Sequence, residues 1–424
     1  MARPFRRFLL PVLAILVLFI FISHHRTATN HTLQPALFLP QSSGTVGAAA
    51  KATSSTQVCR SHGFGNFHQH GDRPRRVYDL FLISTESEWL EIRLHTLAPY
   101  VDYFIIVESP RTYTNMPKPL YLKDNWHMFA DFHHKMLHFV VEDEVVSLRT
   151  WDHEDFFRNA MLDKAFPSLV GTDREAAEGD AKETDSVRNW VVAFSLSYSN
   201  SLFNLLFSKR LPPFKLNQKV VIHSIVMQII RFLAIIVSDI DEIPKPETVM
   251  LLRQCNYPDR LTLRSRFYYY SFQWLHRGEQ WAHPQATQYH GLEGTISTKD
   301  LRNGEGGPGG PLFRPLQRLW QKADLYDSAW HCSWCFATIA HMQNKMASSS
   351  HTPWNTEENR DPKVIVGRVS DGVDLFNRED QLYDKVEGNR DVPQYVLDNG
   401  QRFRHILNRD GEDAAFVDFK WQVA

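Results

Sequence analysis

The feature that most constrains this chain is a group of carboxylates that directly follows an apolar segment. Residues 233–237 are all apolar, and Asp239, Asp241 and Glu242 stand within the next five positions. A buried strand should not end in several carboxylates unless a cationic group or ion meets them. In open α/β sheets, ligands bind beyond the carboxyl ends of the strands. The pattern predicts a strand whose end binds a divalent cation, Mn²⁺ or Mg²⁺, through Asp239 and Asp241, with a plain acidic turn as the alternative.

The overall charge of the chain argues against a nucleic-acid partner. The 424 residues include 47 Lys and Arg against 48 Asp and Glu, so the formal net charge is −1. A chain without a positive field is not suited to bind nucleic acid or an acidic membrane surface. Aromatic residues make up 12% of the chain, which suits a large core and also carbohydrate binding. We therefore expect no nucleic-acid partner.

The amino-terminal segment predicts a membrane anchor. Arg3, Arg6 and Arg7 precede residues 8–22, which contain no charged side chain. The apolar run is short for a bilayer span of about 20 residues, and a cleaved signal peptide is the alternative. No small-residue cleavage pattern follows the run, so a signal anchor is preferred. Because the basic residues come first, residues 1–7 are expected in the cytoplasm and the rest of the chain in the lumen.

Four cysteines suit a body that folds in an oxidising compartment. They are Cys59, Cys255, Cys332 and Cys335, and an even number allows disulfides with three connectivities. The last two form a CxxC pair, which is compatible with a local disulfide, buried thiols, zinc binding or thiol redox chemistry. Residues 23–75 are predicted to form a stalk, because much of this segment is small and polar and offers little to bury.

From residue 76 onward, strand patterns alternate with helix patterns. We predict strands at 77–84, 101–107, 136–141 and 235–237, and helices at 90–97, 154–166 and from 246 onward. This alternation is typical of α/β folds in which crossover helices connect parallel strands. The predicted fold is therefore α/β, with a mostly parallel Rossmann-type sheet flanked by helices in one large lumenal domain over residues 76–360.

One segment departs from this pattern. Residues 186–238 contain no Asp or Glu, whereas residues 173–185 are densely acidic. We interpret residues 186–234 as an anomalous insert: a helical hairpin, a membrane-surface segment or a translated, unspliced intron. The last is preferred, because the strand that leads into the carboxylates should follow residue 180 closely. Residues 361–424 are predicted to be a charged, loop-rich C-terminal extension.

Several short segments match a known family in order and combination. They are VYDLF at 77–81, EWLEIRL at 88–94, VDYFIIVES at 101–109, KPL at 118–120, SDIDEIP at 238–244, FYYY at 267–270, WHCSWCF at 330–336, KM at 345–346 and SH at 350–351. Together they resemble glycosyltransferase family 17, the family of β-1,4-mannosyl-glycoprotein 4-β-N-acetylglucosaminyltransferases. The insert is the departure from the family pattern.

The resemblance implies a GT-A-like fold and a single-pass type II protein of a Golgi or other secretory-pathway membrane. It also implies inverting, metal-dependent transfer of N-acetylglucosamine from UDP-GlcNAc to a mannose of a glycoprotein N-linked glycan. A transferase of a different sugar or acceptor is one alternative. A catalytically inactive, carbohydrate-binding membrane protein is another.

Residues for the donor are expected near the strand ends. Glu86 and Glu108 follow the first two strands and are expected to contact uridine or ribose hydroxyls. Arg111 and Arg158 are expected to pair with phosphate. Each of the four has an alternative interpretation as a helix-capping or surface charge.

Residues for the acceptor are also proposed. The acceptor hydroxyl must lose its proton to a nearby carboxylate or histidine, and the candidate catalytic residues are Glu293, Asp327 and His331. Aromatic rings that stack on sugars are expected in the densest aromatic run and beside His331. The candidate stacking residues are Tyr268, Tyr270, Trp274 and Trp330.

Overall fold

The computed structural model describes residues 30–32, 55–67, 75–142, 145–168, 233–292, 294–307 and 321–420. Its strands are β1 (Asn30–Thr32), β2 (Gly65–Asn66), β3 (Arg76–Ile83), β4 (Tyr103–Glu108), β5 (Met136–Val140), β6 (Leu233–Asp239), β7 (Glu242–Pro244), β8 (Cys255–Asn256), β9 (Arg260–Tyr269), β10 (Ser271–His276), β11 (Gln285–Gln288), β12 (Lys322–Ser333) and β13 (Tyr383–Lys385).

The α-helices are α1 (Ser55–Ser61), α2 (Ser87–Leu97), α3 (Tyr121–Asp124), α4 (Thr150–Ala160), α5 (Pro246–Gln254), α6 (Thr298–Arg302), α7 (Ile339–Ser348), α8 (Glu357–Arg360), α9 (Pro362–Asp371), α10 (Gln394–Asp398) and α11 (Arg404–Leu407). A π-helical turn at Met161–Ala165 extends α4. Short 3₁₀ segments lie at Trp126–Lys135, Phe166–Ser168 and Thr352–Trp354.

Within the described residues, one 11-stranded sheet has the order β1-β12-β9-β11-β6-β3-β4-β5. Outside this order, β10 pairs with β9, β13 pairs with β10, and β7 pairs with β12. The strands β5, β4, β3 and β6 run parallel to one another. The chain passes outward from β3 through β4 to β5, and β6 then lies on the other side of β3. The strand order therefore reverses between β3 and β6, which is where ligands of open α/β sheets bind.

The predicted α/β class, with a large sheet flanked by helices, is confirmed. The four predicted strands correspond to β3, β4, β5 and β6, and the predicted helices correspond to α2, α4 and α5. The sheet is mixed rather than mostly parallel, because β11 runs antiparallel to both β6 and β9, and β10 also runs antiparallel to β9. A single residue, Tyr270, joins β9 to β10. Parallel strands need a much longer crossover connection, so these two strands must be antiparallel.

Both faces of the central strands are buried. Along β3, Val77 and Phe81 belong to one hydrophobic cluster, and Tyr78 and Leu80 belong to another. This assignment follows the alternation of side chains in a strand. The first cluster includes residues of α2 and α5, and the second includes residues of α4 and its π-helical turn. A sheet covered on both faces explains why the strands are nearly continuous apolar runs.

Two disulfides are present in the described residues. Cys59 of α1 is bonded to Cys255 of β8, and Cys332 is bonded to Cys335 at the end of β12. The alternative of a zinc site at the CxxC pair is wrong, because both sulfurs are committed to the disulfide. The first bond attaches α1 to the sheet domain, and Cys59 and Phe64 lie in its core. The folded part therefore includes residues that were predicted to lie in the stalk.

The segment after residue 361 also packs against the sheet. Its strand β13 pairs with β10, and Val366 of α9 and Val396 of α10 are buried. Arg409 is fully buried and donates to the carbonyl oxygens of Tyr270 and Phe336. The predicted C-terminal extension thus shares a core with the rest of the domain.

Several predictions fall on residues outside those that the structure describes. These residues are the predicted anchor at 8–22, most of the stalk, residues 186–232 of the insert, and Glu293. Among the helices that are described, none combines the length and the apolar character needed to cross a bilayer.

Candidate active site

The carboxyl ends of β3 and β6 lie side by side where the strand order reverses. Leu82 of β3 is paired with Asp239, the last residue of β6. The chain continues from β3 through Glu86 into α2, and from β6 through a tight turn into β7. We call residues 239–242 the acidic loop. Its position is the one at which an open α/β sheet offers a ligand crevice.

Arg93 of α2 holds the backbone of the acidic loop. Its Nη1 donates to the carbonyl oxygens of Asp239, Ile240 and Glu242 at 3.1, 3.2 and 2.9 Å. The Arg93 side chain is fully buried. A guanidinium that bonds to three carbonyl oxygens of one loop fixes the shape of that loop from inside the protein.

Asp79 of β3 balances the charge of Arg93. Nε and Nη2 of Arg93 donate to the two Asp79 carboxylate oxygens at 2.8 and 2.6 Å, and neither side chain is exposed. Sequence reasoning missed this pair, although a signal was present. Asp79 is the one charged residue in the apolar run 77–83, and a charge buried in a strand requires a partner.

Asp239 is bonded by two guanidinium groups. Arg158 of α4 donates from Nη1 to Oδ1 at 2.8 Å, and Arg302 of α6 donates from Nη2 to Oδ2 at 2.6 Å. Burial acts to raise the pKa of the Asp239 carboxyl, but the two arginines outweigh it and hold the pKa below the ordinary value. The structure thus places Arg158, a predicted phosphate ligand, directly against a predicted metal ligand.

Glu242 is the most enclosed carboxylate of the acidic loop. Both of its oxygens accept from Arg302, at 2.7 and 2.8 Å, and Oε1 also accepts from the indole N–H of Trp281 at 2.7 Å. Oε2 accepts from the backbone N–H of Asp239 at 2.9 Å. Although burial opposes ionisation, Arg302 holds the pKa of Glu242 well below its ordinary value. Glu242 therefore braces the loop through its ionised carboxylate.

The Glu242 contacts predict how stability responds to acid. The pKa of the Glu242 carboxyl is lower in the folded chain than in the unfolded chain, where it is about 4.3. Such a carboxyl stabilises the folded chain above the unfolded pKa. The contribution is lost as pH falls through the folded pKa. Glu242→Gln is expected to make the free energy of unfolding fall less steeply with pH below about pH 4.3. Urea unfolding at a series of pH values measures this slope. Glu387→Gln, at an exposed position, is the control, and an equal slope in both variants would contradict the assignment.

Asp241 points toward a different set of groups. Lys345 of α7 lies with Nζ 3.2 Å from Asp241 Oδ2 and 3.8 Å from Oε1 of Glu86. Nε2 of His331 lies 3.8 Å from Asp241 Oδ1, beyond hydrogen-bond range. Burial opposes the charge of Lys345, but Asp241 and Glu86 outweigh it and raise the pKa of the Lys345 ammonium. The structure thus brings together the predicted residues Asp241, Glu86 and His331.

Arg302 and Lys345 were not predicted as site residues. Arg302 lies at the end of α6, whose N-cap Ser297 accepts from the backbone N–H of Asp300 at 3.2 Å. In the sequence, Arg302 opens a glycine-rich stretch that indicates only a surface loop. It is separated from Glu242 by 60 residues and Lys345 from Asp241 by 104, so only the fold brings these groups together.

A small cleft lies beside the acidic loop, at the carboxyl ends of β3 and β4. Its lining includes Ser84, Ser109, Arg111, Tyr113, Lys118 and Phe157. Arg111 is one of the predicted phosphate ligands, and its guanidinium donates to the carbonyl oxygen of Asn115 at 3.1 Å. Polar groups at the edge of an apolar cleft are typical of sites for small organic ligands.

Glu108 lies at the end of β4, but its carboxylate is engaged within the protein. It accepts from the backbone N–H groups of Leu122 and Lys123 at 3.0 and 3.3 Å and from His138 Nε2 at 2.9 Å. It therefore fixes the start of α3, which agrees with the helix-capping alternative for this residue.

The four predicted stacking residues are buried. Tyr268 lies in the main core, while Tyr270 and Trp274 belong to a third cluster that includes residues of α7 and α9. Trp330 is 7% exposed, and its indole N–H donates to Asp391 at 2.9 Å. Protein atoms cover the ring faces that a sugar would need. The aromatic run, residues 267–281, contributes one exposed ring, that of Trp281.

The two described base candidates differ in their surroundings. Asp327 accepts from Arg266 Nε at 2.9 Å and from the Gln280 side chain at 2.7 Å. His331 lies beside the acidic loop, its ring packs on Phe267 with centroids 4.9 Å apart, and its buried Nδ1 has no hydrogen-bond partner among the described residues. His331 thus lies next to Asp241, and Asp327 is held in a separate polar cluster.

Comparison with known families decides the assignment. The model of glycosyltransferase family 17 matches residues 2–172, 212–298 and 318–412. The chain belongs to glycosyltransferase family 17. The matched ranges of family 17 include β3 to β6, the acidic loop, Lys345 and His331, and they omit residues 173–211 and the segment that contains Arg302.

Three curated proteins that are similar to this family-17 chain share the same name. The β-1,4-mannosyl-glycoprotein 4-β-N-acetylglucosaminyltransferase of Homo sapiens is 24% identical over 357 residues, which is 79% of this chain and 55% of the relative. The proteins of the same name from Rattus norvegicus and Mus musculus are 23% identical over 356 residues. The chain thus spans about 55% of the length of these curated relatives. No solved structure matches it.

Proposed function

We propose that this chain is an inverting glycosyltransferase that moves N-acetylglucosamine from UDP-GlcNAc to a mannose of a glycoprotein N-linked glycan, with Mn²⁺ or Mg²⁺ bound. The observation that carries the proposal is the acidic loop at the reversal of strand order, surrounded by Arg158, Arg302 and Lys345. Anionic and cationic side chains that converge on one crevice suit a ligand with a metal-bound diphosphate. The names of the relatives support the choice of donor and acceptor.

We further propose that the fold is GT-A-like. The support is the order β5-β4-β3-β6-β11-β9, in which one antiparallel strand, β11, lies between β6 and β9. The acidic loop then follows the fourth strand of the central sheet, at its carboxyl edge. This is the edge from which a doubly wound sheet binds nucleotides.

The chemistry of the acidic loop fits a divalent cation that arrives with a nucleotide. No group of three or more His, Cys, Asp or Glu side chains forms a metal cluster in the part of the chain that the structure describes. Mg²⁺ in nucleotide sites uses one or two protein carboxylates together with phosphate oxygens and waters. Asp239 and Asp241 would supply these carboxylates once Arg302 and Lys345 turn away from them. When bound, the cation supplies Lewis-acid stabilisation of the diphosphate.

The basic side chains have a role of their own. Departure of UDP leaves negative charge on the diphosphate, and cationic side chains aimed at that charge stabilise the transition state. Lys345 and Arg302 are long side chains that now pair with carboxylates at the crevice. We propose that they bind the diphosphate oxygens when the donor enters. Before the donor binds, their ion pairs with the carboxylates keep the side chains of the crevice in place.

We assign removal of the acceptor proton to His331. Inversion requires the acceptor hydroxyl to attack the anomeric carbon from the face opposite the leaving UDP, while a base takes its proton. His331 lies beside Asp241, one of the two proposed metal ligands. Its Nε2 is not engaged in a hydrogen bond to that carboxylate at 3.8 Å. Asp327, by contrast, is bonded to Arg266 and Gln280.

The His331 assignment predicts a selective loss of rate. His331→Gln is expected to lower kcat for transfer by about 10²-fold, because a positioned base contributes at least that much. The KM for UDP-GlcNAc should change little, since His331 is not one of the proposed diphosphate ligands. Steady-state kinetics with both substrates varied tests this. A kcat close to that of the unaltered chain would remove His331 as the base.

The decisive test of the proposed function is transfer by the full chain. UDP-GlcNAc and a panel of other UDP-sugars are offered with an N-linked oligosaccharide acceptor and Mn²⁺, and the product is identified by mass spectrometry and NMR. We expect transfer of N-acetylglucosamine in β linkage to mannose. Transfer of another sugar alone would support a transferase of different specificity. Acceptor binding without transfer or release of UDP would support a carbohydrate-binding protein.

The compartment is also proposed. The two disulfides support folding in the oxidising lumen of the secretory pathway. We propose a single-pass type II protein of the Golgi or a related membrane, anchored by residues 8–22. Carbonate extraction and protease protection of tagged chains in microsomes test this. Release of the chain by carbonate would contradict an anchor.

A further inference from the structure

Trp281 presents an exposed aromatic ring at the edge of the acidic loop. It is 37% exposed, whereas the rings predicted to stack on sugar are at most 8% exposed. A single exposed tryptophan is unremarkable on a protein surface. What distinguishes Trp281 is that its indole N–H is bonded to Glu242, inside the proposed site.

The ring of Trp281 is held in one orientation. Its backbone N–H and carbonyl oxygen each bond to Ser265 of β9, both at 3.0 Å. The indole N–H bond to Glu242 Oε1 fixes the ring from one edge at 2.7 Å. The ring also contacts Phe267 and His331, with centroid distances of 5.6 and 5.2 Å. An exposed ring that is braced in this way loses little conformational entropy when a ligand packs on it.

The position of Trp281 suits an acceptor sugar, which must lie beside the donor. The ring of His331, the proposed base, contacts the Trp281 ring, and its Nε2 lies 3.8 Å from Asp241 Oδ1. Arg302 and Lys345, the proposed diphosphate ligands, lie close by, and Arg302 donates to the same Glu242 Oε1 as the indole N–H of Trp281. A sugar packed on Trp281 would therefore place its hydroxyl groups near His331 and beside a donor bound by Arg302.

We propose that Trp281 is the platform on which the acceptor sugar packs, so that its ring face sets the affinity for the glycan. Tryptophan combines a large apolar face with a polar edge, as the C–H face and hydroxyl rim of a pyranose require. The N–H bond to Glu242 also means that the platform and the acidic loop are positioned by the same carboxylate. This inference rests on the proposed function for the identity of the acceptor.

Glycan binding by the full chain tests the proposal without requiring turnover. A free N-linked oligosaccharide with its mannose core is titrated into the unaltered chain, Trp281→Ala, Trp281→Phe and Trp151→Ala, and binding is followed by calorimetry. We expect Trp281→Ala to weaken glycan binding about 10-fold or more, the range of a lost ring contact. Trp281→Phe keeps a ring and loses the N–H, so it should retain most of the affinity. Trp151, 46% exposed and in contact with His351, is the matched control.

The outcomes separate this inference from the proposed function. UDP binding with Mn²⁺ is measured in the same samples and should be equal in all four. Thermal unfolding verifies that each variant is folded. Any of three results would contradict the role of Trp281. These are an unchanged glycan affinity in Trp281→Ala, equal losses of affinity for glycan and UDP in that variant, and no glycan binding by the unaltered chain. Glycan binding that depends on Trp281 in a chain that binds no UDP would leave the platform standing and reject the transferase.

Discussion

Replacement of Asp241 by Asn is expected to lower kcat for sugar transfer by about 10²- to 10³-fold, which is the size of effect found when one preorganised electrostatic group is lost. Asp241 is the acidic-loop residue that faces Lys345, His331 and, through Lys345, Glu86. The substitution keeps the size of the side chain and removes its charge. It should also abolish the enhancement of UDP binding by Mn²⁺.

The fold should survive this change, because the backbone of the acidic loop is held by Arg93 rather than by the Asp241 side chain. Kinetics, thermal unfolding and calorimetry of UDP with and without Mn²⁺ are the measurements. Asp384→Asn removes an equivalent charge from an exposed pair with Arg277 and is the control. Near-normal transfer by Asp241→Asn would refute the role of the acidic loop.

Replacement of Arg93 by Met is expected to lower the free energy of unfolding by about 3–5 kcal/mol. Asp79 would be left as a buried, unpaired carboxylate, and the carbonyl oxygens of the acidic loop would lose their shared donor. Breaking a buried pair by removing one partner is costly for this reason. The loss should be accompanied by lower activity, since Arg93 determines the shape of the loop.

A second substitution makes the Arg93 prediction sharper. In the double variant Arg93→Met with Asp79→Leu, no charge is left unpaired in the core, so part of the lost stability should return. Arg402→Met breaks a pair with Glu91 in which the arginine is half exposed, and it should cost less than about 1 kcal/mol. Urea unfolding of the four chains gives these differences. A loss for Arg93→Met no larger than that for Arg402→Met would contradict the buried-pair account.

Local pattern was enough to predict the elements that carry the acidic loop. An apolar run followed by carboxylates predicted the end of β6, and helical spacing after β3 predicted α2. Such signals extend over a few residues, so the sequence reports them directly. The buried partner of Asp79 could also have been predicted, because an acidic residue inside an apolar strand requires a cationic side chain beside it.

Other parts of the site depend on distant segments. Arg302 reaches the acidic loop from α6, and the sequence around it indicates only a glycine-rich loop. Rings that stack on sugars were expected in the aromatic run, but clusters of side chains cover both faces of β9 and β10. Alternation places Tyr268 in one core and Tyr269 in the other, and Tyr270, between the two strands, packs into the second core as well.

The bond between Cys59 and Cys255 has a practical consequence for how the protein is produced. A recombinant fragment begun at residue 76 would omit α1 and leave Cys255 with a reactive thiol in the core. It would also omit Arg75, whose guanidinium donates to the carbonyl oxygens of Leu252 and Cys255 at 2.9 and 2.6 Å. Secretion of a fragment that begins upstream of Ser55, from a host that oxidises thiols, preserves both connections.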